Sequence, residues 1–245
     1  MVPQLTGPKN IRWRTLDEGV LLSEPGLVTH GYDMSVLFLA RGKTYQTEAG
    51  LPVIVNMLRG EVTTFDAQMQ RGLYASPGKQ YDVASFRHAV KIQADDDALV
   101  FLCSDRGSPH TFAPTGLDAQ WIQPAPDCYR TDPKIEVDGV RINLWYLTPN
   151  KNGGIHNHAE NQGHNIGDRN AQFVEWHTQL RGNGWMVKYQ KQDAQTADER
   201  IEMKIGHSHP LFSTVDNGRV SYPWHAYVAG DKGALFVAFE DLRVR

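Results

Sequence analysis

Three short sequence signals recur in the same order in the two halves of this 245-residue chain. They are Met-Leu-Arg-Gly-Glu at 57–61, Arg-His-Ala-Val at 87–90 and Ala-Leu-Val-Phe at 98–101, against Gln-Leu-Arg-Gly-Asn at 179–183, Trp-His-Ala-Tyr at 224–227 and Ala-Leu-Phe-Val at 234–237. A period of more than 100 residues indicates a duplicated domain and not a stack of short repeats. We therefore expect two similar domains, 1–125 and 130–245, joined near Pro124 to Pro133, a segment whose prolines disfavour a central strand.

Most of the remaining pattern is typical of β structure. Short segments rich in β-branched and aromatic residues are bounded by Gly, Asp or Pro, namely 35–39, 52–58, 98–103, 141–147, 185–190 and 234–239. One stretch with a helical pattern, 193–199, is short and polar. Closely spaced short strands predict an all-β protein, and the duplication predicts two tandem jelly-roll barrels.

The composition excludes several classes of partner. The formal charge is −3 with both signs interspersed, so neither nucleic acid nor an anionic membrane is expected. Residues 1–14 are polar, which argues against a signal peptide, and no run approaches the ~20 apolar residues of a membrane helix. With Cys103 and Cys128 as its two cysteines, the chain is typical of a reducing, cytoplasmic environment.

The strongest chemical signal is a set of histidines with one carboxylate. His156 and His158 form a His-x-His pair, which on a strand points both imidazoles to one face. Glu175 precedes the Gly-Asn-Gly at 182–184, a predicted turn between strands, and His225 follows a Pro-Trp pair. Three imidazoles and a carboxylate suit one divalent transition metal that keeps open positions for a substrate.

These motifs resemble those of the cupin superfamily. His-x-His, a Glu and a glycine turn are similar to the first cupin motif, and the segment around His225 is similar to the second. The resemblance implies a bicupin whose C-terminal barrel binds Fe, Mn, Ni or Zn. In the family the Glu follows the second His closely, whereas here 159–174 intervene. We prefer Glu175 for its spacing to the glycine turn, with Glu160 as the alternative.

The N-terminal barrel is expected to have lost its ligands. Cupin spacing places Gln46, Glu48 and Val53 where the second half has two histidines and Glu175, and His88 alone matches His225. We interpret His88 as a core histidine bonded to backbone.

Strand alternation nominates residues around the metal. If Glu175 faces the interior, so do His177 and Gln179, and His225 implies the same for Tyr227. His177 is our best candidate general acid or base, although it could instead orient a ligand, and Tyr227 is the alternative for moving the proton. Gln179 is a candidate substrate contact. Val187 and Tyr189 are expected to face inward too, unless the glycine turn shifts the register.

Two further segments offer candidate substrate contacts. A second His-x-His, His207 and His209, lies at the barrel mouth near the substrate or packs within a turn. The polar insertion at 160–170 is expected to be a loop at the barrel opening. Its Arg169 either clamps a substrate carboxylate or is simply exposed.

Function is less constrained than fold, because one fold hosts many reactions. Our first hypothesis is a metal-dependent isomerase, epimerase or lyase that removes a proton from a small hydroxylated or carboxylated substrate such as a sugar, sugar acid or keto acid. The second is a non-haem iron dioxygenase, which a more apolar interior would favour. The third is a non-catalytic bicupin that senses or stores a small ligand. The sequence leaves a homodimer open.

Overall fold

The computed structural model of the chain describes residues 13–23, 27–29, 32–49, 52–66, 74–78, 83–105, 121–131, 135–158, 173–217 and 219–243. The chain forms two compact units, Met1–Ala113 and Pro114–Arg245. Across the described segments, strands dominate, which confirms the predicted all-β class. Among those same residues, no helix is long and apolar enough to cross a membrane.

The described strands of the first unit form two sheets. Its strands are β1 (Trp13–Asp17), β2 (Val20–Ser23), β3 (Leu27–Thr29), β4 (Tyr32–Leu39), β5 (Thr44–Gln46), β6 (Val53–Arg59), β7 (Val62–Asp66), β8 (Tyr74–Gly78), β9 (Val83–Phe86), β10 (Val90–Ala94) and β11 (Ala98–Asp105). The larger sheet has the order β1-β2-β4-β11-β6-β9, with β3 paired to β4, and the smaller has the order β5-β10-β7-β8.

The second unit is built on two long strands. Its elements are β12 (Trp121–Ala125), β13 (Cys128–Thr131), β14 (Ile135–Val137), β15 (Val140–Leu147), β16 (Val174–Tyr189), β17 (Ala197–Met203), β18 (Thr214–Asp216), β19 (Arg219–Ser221) and β20 (Trp224–Asp241). The main sheet runs β12-β13-β15-β20-β16-β17, with β14 paired to β15, while β18 and β19 form a separate hairpin.

The duplication expected from the sequence is present in the topology. The order β1-β2-β4-β11-β6 in the first unit matches β12-β13-β15-β20-β16 in the second, and the side strands β3 and β14 occupy equivalent places. Each long strand of the second unit corresponds to two shorter strands of the first. β16 corresponds to β6 and β7, and β20 corresponds to β10 and β11. The two jelly rolls predicted from the repeat are confirmed.

Of the segment predicted to join the domains, 124–133, the structure describes residues 124–131, which lie mostly in strands of the second unit. β12 and β13 pair as a hairpin at the edge of the main sheet. Pro124 is tolerated there because the outer side of an edge strand needs no ladder hydrogen bond. The division between the units lies earlier in the chain, after Ala113.

Aliphatic side chains fill the space between the two sheets of the first unit. Alternate residues of β6, including Val53, Val55 and Met57, meet Val90 and Ile92 from the opposite sheet. The three positions of the first unit that correspond to metal ligands in the second do not form a cluster. Val53 lies in this core, while Gln46 and Glu48 are exposed. The interpretation of His88 as a core residue is wrong: its side chain is exposed in the bend before β10.

Gly60 and Gly182, which the sequence repeat aligns, have the same backbone conformation and the same constraint. Both have a φ of +77°. A Cβ on Gly60 would lie 2.5 Å from the carbonyl oxygen of Asp97, and one on Gly182 would collide with the carbonyl of Gly233. The two glycines therefore allow the equivalent strand pairs to pass each other at close range.

Gly60→Ala is expected to destabilise the protein by roughly 2 kcal/mol more than Gly42→Ala. Gly42 shares the φ of +77° and the same unit, but a Cβ there meets nothing within 4 Å. The backbone strain is thus common to both variants, and the collision with Asp97 is confined to one. Urea denaturation of the two variants measures the difference, and equal midpoints would contradict a steric role for the glycine.

The predicted turn at 182–184 is not a turn. β16 continues through it, paired with β20 from end to end, with register shifts between Gln179 and Arg181 and between Gly182 and Gly184. These irregularities displace the alternation by one residue. Met186 consequently joins the interior cluster, while Val187 and Tyr189 pack in a different cluster on the other face. The expectation that Val187 and Tyr189 face inward is therefore wrong.

The polar stretch 193–199 forms one turn of 3-10 helix, Ala194–Thr196, before β17 begins. The Asp193 side chain accepts a hydrogen bond from the backbone N–H of Gln195 and caps this turn.

Candidate metal centre

Four side chains from three separate segments converge inside the second unit. One ligand atom from each of His156, His158, Glu175 and His225 lies within 4.8 Å of the others. The imidazole of His158 is 2.9 Å from Oε2 of Glu175, and Nε2 of His225 is 3.9 Å from the same oxygen. In the part of the chain that the structure describes, no other group of His, Cys, Asp and Glu is arranged in this way.

The backbone brings the two histidines of the His-x-His pair together in a manner that the sequence did not predict. His156 pairs with His225 through two backbone hydrogen bonds, which places their rings 4.5 Å apart. His158 is not in a strand and has a φ of +54°. This left-handed conformation is costly for a residue other than glycine, and such residues concentrate at functional sites. The two rings of the pair nevertheless meet edge to face at 4.6 Å.

Backbone carbonyls fix the tautomers of two of the histidines. Nδ1–H of His156 donates to the carbonyl of Gly154, and Nδ1–H of His225 donates to that of Pro223, each at 2.9 Å. In both rings the lone pair is therefore on Nε2. Nε2 of His225 is buried and has no hydrogen-bond partner among the described residues. A ring oriented through one nitrogen with the other left unpaired is the usual arrangement of a metal-binding histidine.

The electrostatics of the cluster favour the ionisation states that a metal requires. Burial, followed by the neighbouring His158 and His225, lowers the pKa of His156 well below its usual value. Burial alone would raise the pKa of Glu175, but His158 and His177 hold it well below its usual range. Neutral imidazoles and an ionised carboxylate are the ligand forms that bind divalent metals, so the residues fit such an ion.

A tyrosine that the sequence analysis missed holds the start of β16 beside the ligands. The hydroxyl of Tyr222 accepts a hydrogen bond from the backbone N–H of Glu175 at 2.6 Å and donates one to the carbonyl of Phe173 at 2.9 Å. Its ring lies 4.6 Å from that of His158. Burial, and then the charge of Glu175, raise the pKa of this hydroxyl, so it remains a donor. Nothing in its sequence surroundings distinguishes Tyr222 from an ordinary core tyrosine.

His177 lies next to the cluster and is held by His209. Nδ1–H of His209 donates to the carbonyl of Pro210 at 2.7 Å, which leaves Nε2 as an acceptor. That nitrogen accepts from Nδ1–H of His177 at 2.9 Å and lies 3.2 Å from its backbone N–H. Nε2 of His177 therefore carries a lone pair and lies 3.7 Å from Oε1 of Glu175.

Burial sets the protonation of this pair. It lowers the pKa of His177 to about 4, against the opposing effect of Glu175, and the pKa of His209 to about 3. Both imidazoles are therefore neutral at neutral pH. The sequence left two alternatives for His207 and His209, the barrel mouth or packing at a turn. The structure has His207 exposed and His209 buried against His177, which agrees with the packed alternative for His209.

His209→Leu is expected to release the tautomer of His177 without removing a metal ligand. His209→Gln retains an acceptor oxygen and should restore the Nδ1–H form in part, while His207→Leu changes an exposed histidine of the same motif. Long-range ¹H–¹⁵N spectra of the labelled protein distinguish the two tautomers of His177. An unchanged Nδ1–H tautomer in His209→Leu would show that His209 does not orient it.

Gln179 and Tyr227 engage each other and not the metal cluster. The hydroxyl of Tyr227 donates to the side-chain oxygen of Gln179, and the amide nitrogen of Gln179 donates to the carbonyl of Arg181. Tyr227 also stacks on Phe236 at 3.9 Å. Burial raises the pKa of Tyr227 well above its usual value. This bonded pair lies next to His177, whose ring centroid is 6.0 Å from that of Tyr227.

Two of the candidates from the sequence, Glu160 and Arg169, lie outside the described residues. Of the two carboxylates considered as ligands, the structure places Glu175 in the cluster.

Comparison with known proteins finds likeness in structure and none in sequence. No family profile matches this chain, and no curated protein sequence matches it. Among solved structures, hazelnut (Corylus avellana) vicilin covers 97% of this chain and 85% of its own length at 9% identity, with a TM-score of 0.36. A cupin 2 conserved barrel domain protein from Leptotrichia buccalis covers 88% and 86% at 13% identity, with a TM-score of 0.32.

A third solved structure is oxalate decarboxylase from Bacillus subtilis, a protein with Mn(II) centres. It covers 95% of this chain and 75% of its own length at 13% identity, with a TM-score of 0.36. The fold of the present chain is established by its own strand order and register. The solved structures to which this chain is similar thus include a cupin barrel domain protein.

Proposed function

We propose that the second unit binds one divalent transition metal through His156, His158, Glu175 and His225 and acts on a small hydroxylated or carboxylated substrate. The observation that carries this proposal is the convergence of four ligand atoms within 4.8 Å. Two of the rings, those of His156 and His225, are already oriented through Nδ1–H with the lone pair on Nε2. When bound, the metal would acidify a C–H bond next to a chelated oxygen.

His177 is the residue we propose for proton transfer. Its Nε2 lone pair faces the cluster, its Nδ1–H is held by His209, and its ring is neutral at neutral pH. A neutral imidazole can accept a proton at Nε2, which is the role of a general base. This arrangement supports the proposal of a reaction of the isomerase, epimerase or lyase type. The hydroxyl of Tyr227, our second candidate, is instead bonded to Gln179, and its ring packs against that of His177.

Isotope exchange tests the reaction class before the natural substrate is known. The purified protein is incubated in D₂O with a panel of aldoses, ketoses, sugar acids and keto acids, and mass spectrometry measures deuterium uptake. Exchange at a carbon next to a carbonyl or carboxyl group, lost when the metal is removed by a chelator, is the expected result. Stoichiometric metal with no exchange in any compound would contradict proton abstraction.

A second function, a non-haem iron dioxygenase, is favoured by the aromatic surroundings of the ligands. The ring of His158 lies 5.0 Å from that of Phe173, and Phe212 lies 6.0 Å from His225 and 4.6 Å from His209. These contacts make the interior more apolar than the sequence suggested. Iron as the bound metal, together with oxygen consumption on addition of a chelating substrate, would establish this function in place of the first.

A further inference from the structure

A fully buried asparagine on β15 faces the same interior as the metal ligands. In an antiparallel ladder, directly paired residues direct their side chains to the same face. Asn143 pairs with Ala238 on β20, and Ala238 pairs with His177 on β16. The three therefore form one row across the sheet, and Asn143 shares the face of His177.

The neighbouring row verifies this orientation. Ile142 pairs with Phe239, which pairs with Trp176, and the rings of Phe239 and Trp176 stack at 4.9 Å. That row lies on the opposite face, as strict alternation requires. The strands are regular between residues 140 and 147, so no bulge disturbs the assignment for Asn143.

Within the described part of the chain, the hydrogen-bonding capacity of the Asn143 side chain is unsatisfied. Its side chain is 0% exposed, and neither Nδ2 nor Oδ1 has a hydrogen-bond partner among the residues that the structure describes. A buried amide without a partner destabilises a protein, and nearly all buried polar groups have one. Ala238 lies between Asn143 and His177 in this row, and the Cα atoms of Asn143 and His177 are about 10 Å apart across two strand spacings.

We propose that Asn143 binds the part of the substrate that projects away from the metal, over Ala238. This inference rests on the proposed function and specifies its substrate class. An amide offers both donors and an acceptor, which matches neighbouring hydroxyl groups. A second carboxylate offers acceptors alone and would leave Oδ1 unpaired. The substrate is therefore a polyhydroxylated compound, of which one end chelates the metal and a hydroxyl-bearing carbon meets Asn143.

Two ligands that differ only in their tails test the assignment. Gluconate and 2-hydroxyhexanoate share the α-hydroxy acid that chelates a metal and have the same chain length, but gluconate alone carries further hydroxyls. Calorimetric titration of the Mn²⁺-loaded protein is expected to show about tenfold tighter binding of gluconate. Asn143→Leu and Asn143→Ala should bring the two affinities to within about twofold, chiefly by weakening gluconate.

Thermal unfolding of the metal-free protein provides an independent measurement. If the amide is unpaired within the protein, Asn143→Leu removes a destabilising group and raises the melting temperature by roughly 2–4 °C. The matched control is Asn56→Leu, because Asn56 is equally buried in the first unit but has an interaction within the protein. We expect Asn56→Leu to leave the gluconate preference unchanged.

The outcomes separate this inference from the proposed function. A gluconate preference retained in both Asn143 variants, or absent from the Mn²⁺-loaded wild type, overturns the inference. A melting temperature that falls in Asn143→Leu also overturns it, because the amide is then bonded within the protein. Failure of the wild type to bind Mn²⁺ contradicts the proposed function, and the melting temperatures of the metal-free variants still decide the state of Asn143.

Discussion

Replacing His225 with alanine is expected to reduce bound metal from about one ion per chain to background. Nε2 of His225 is buried and has no hydrogen-bond partner in the described part of the chain, so its loss removes a ligand already oriented for coordination. His156→Ala should have the same effect, because its ring is oriented in the same way by Gly154. Elemental analysis after dialysis against a weak chelator measures the stoichiometry.

The matched control is His88→Ala. His88 aligns with His225 in the sequence repeat but is exposed in the first unit, whose core is aliphatic. Its removal should leave metal content unchanged. Two metals per chain in the wild type, or full metal content in His225→Ala, would disprove the assignment of the site to the second unit.

His177→Ala is expected to retain the metal but to lower the rate of deuterium exchange by about 10²-fold or more, the scale of a lost general base. Nε2 of His177 is 3.7 Å from Oε1 of Glu175, which is near enough to reach a bound substrate. The residue does not belong to the group of four whose ligand atoms converge. Metal content and exchange rate are measured on the same samples.

His207→Ala is the control for this variant, since it removes an exposed histidine from the same half of the chain. Loss of metal from His177→Ala as complete as in Glu175→Ala would make His177 a ligand. Full metal content with an unchanged exchange rate would leave His177 a structural role.

The architecture could be predicted because each strand pattern and each signal of the repeat is a short stretch of sequence that can be recognised by itself. The signals around Gly60 and Gly182 mark equivalent positions in both units, and the same steric requirement explains why both are glycine. The four ligand candidates were also available from the sequence, because His-x-His and its distant partners form a specific combination. Alternation correctly grouped Glu175 with His177, since β16 is regular between them.

What the sequence did not predict depends on register and on contacts between distant segments. The shifts near Gly182 reversed the alternation, so Val187 and Tyr189 face away from the interior. His209 lies against His177 because the segment after β17 returns along the edge of β16, where the carbonyl of His207 accepts from the N–H of Gln179. No periodicity in the sequence encodes that return.

Asn143 illustrates the same limit. In the sequence it is a single polar residue within an apolar strand, which is compatible with either face. Its relation to His177 exists only through Ala238 on a third strand. Residues that act across two strand spacings therefore become visible once the register of both ladders is known.

The ligand cluster forms only when the long ladder between β16 and β20 is paired along its whole length. Glu175 pairs with Glu240 near one end of that ladder, whereas His225 pairs with Lys188 near the other. Two ligands from opposite ends of one antiparallel pair meet only when the pair is bent back on itself along its whole length. An ion bound there loses a ligand as soon as either end of the ladder opens. Its binding free energy therefore opposes fraying at both ends. Resistance of the distal strand ends to hydrogen exchange should consequently rise together when metal is added.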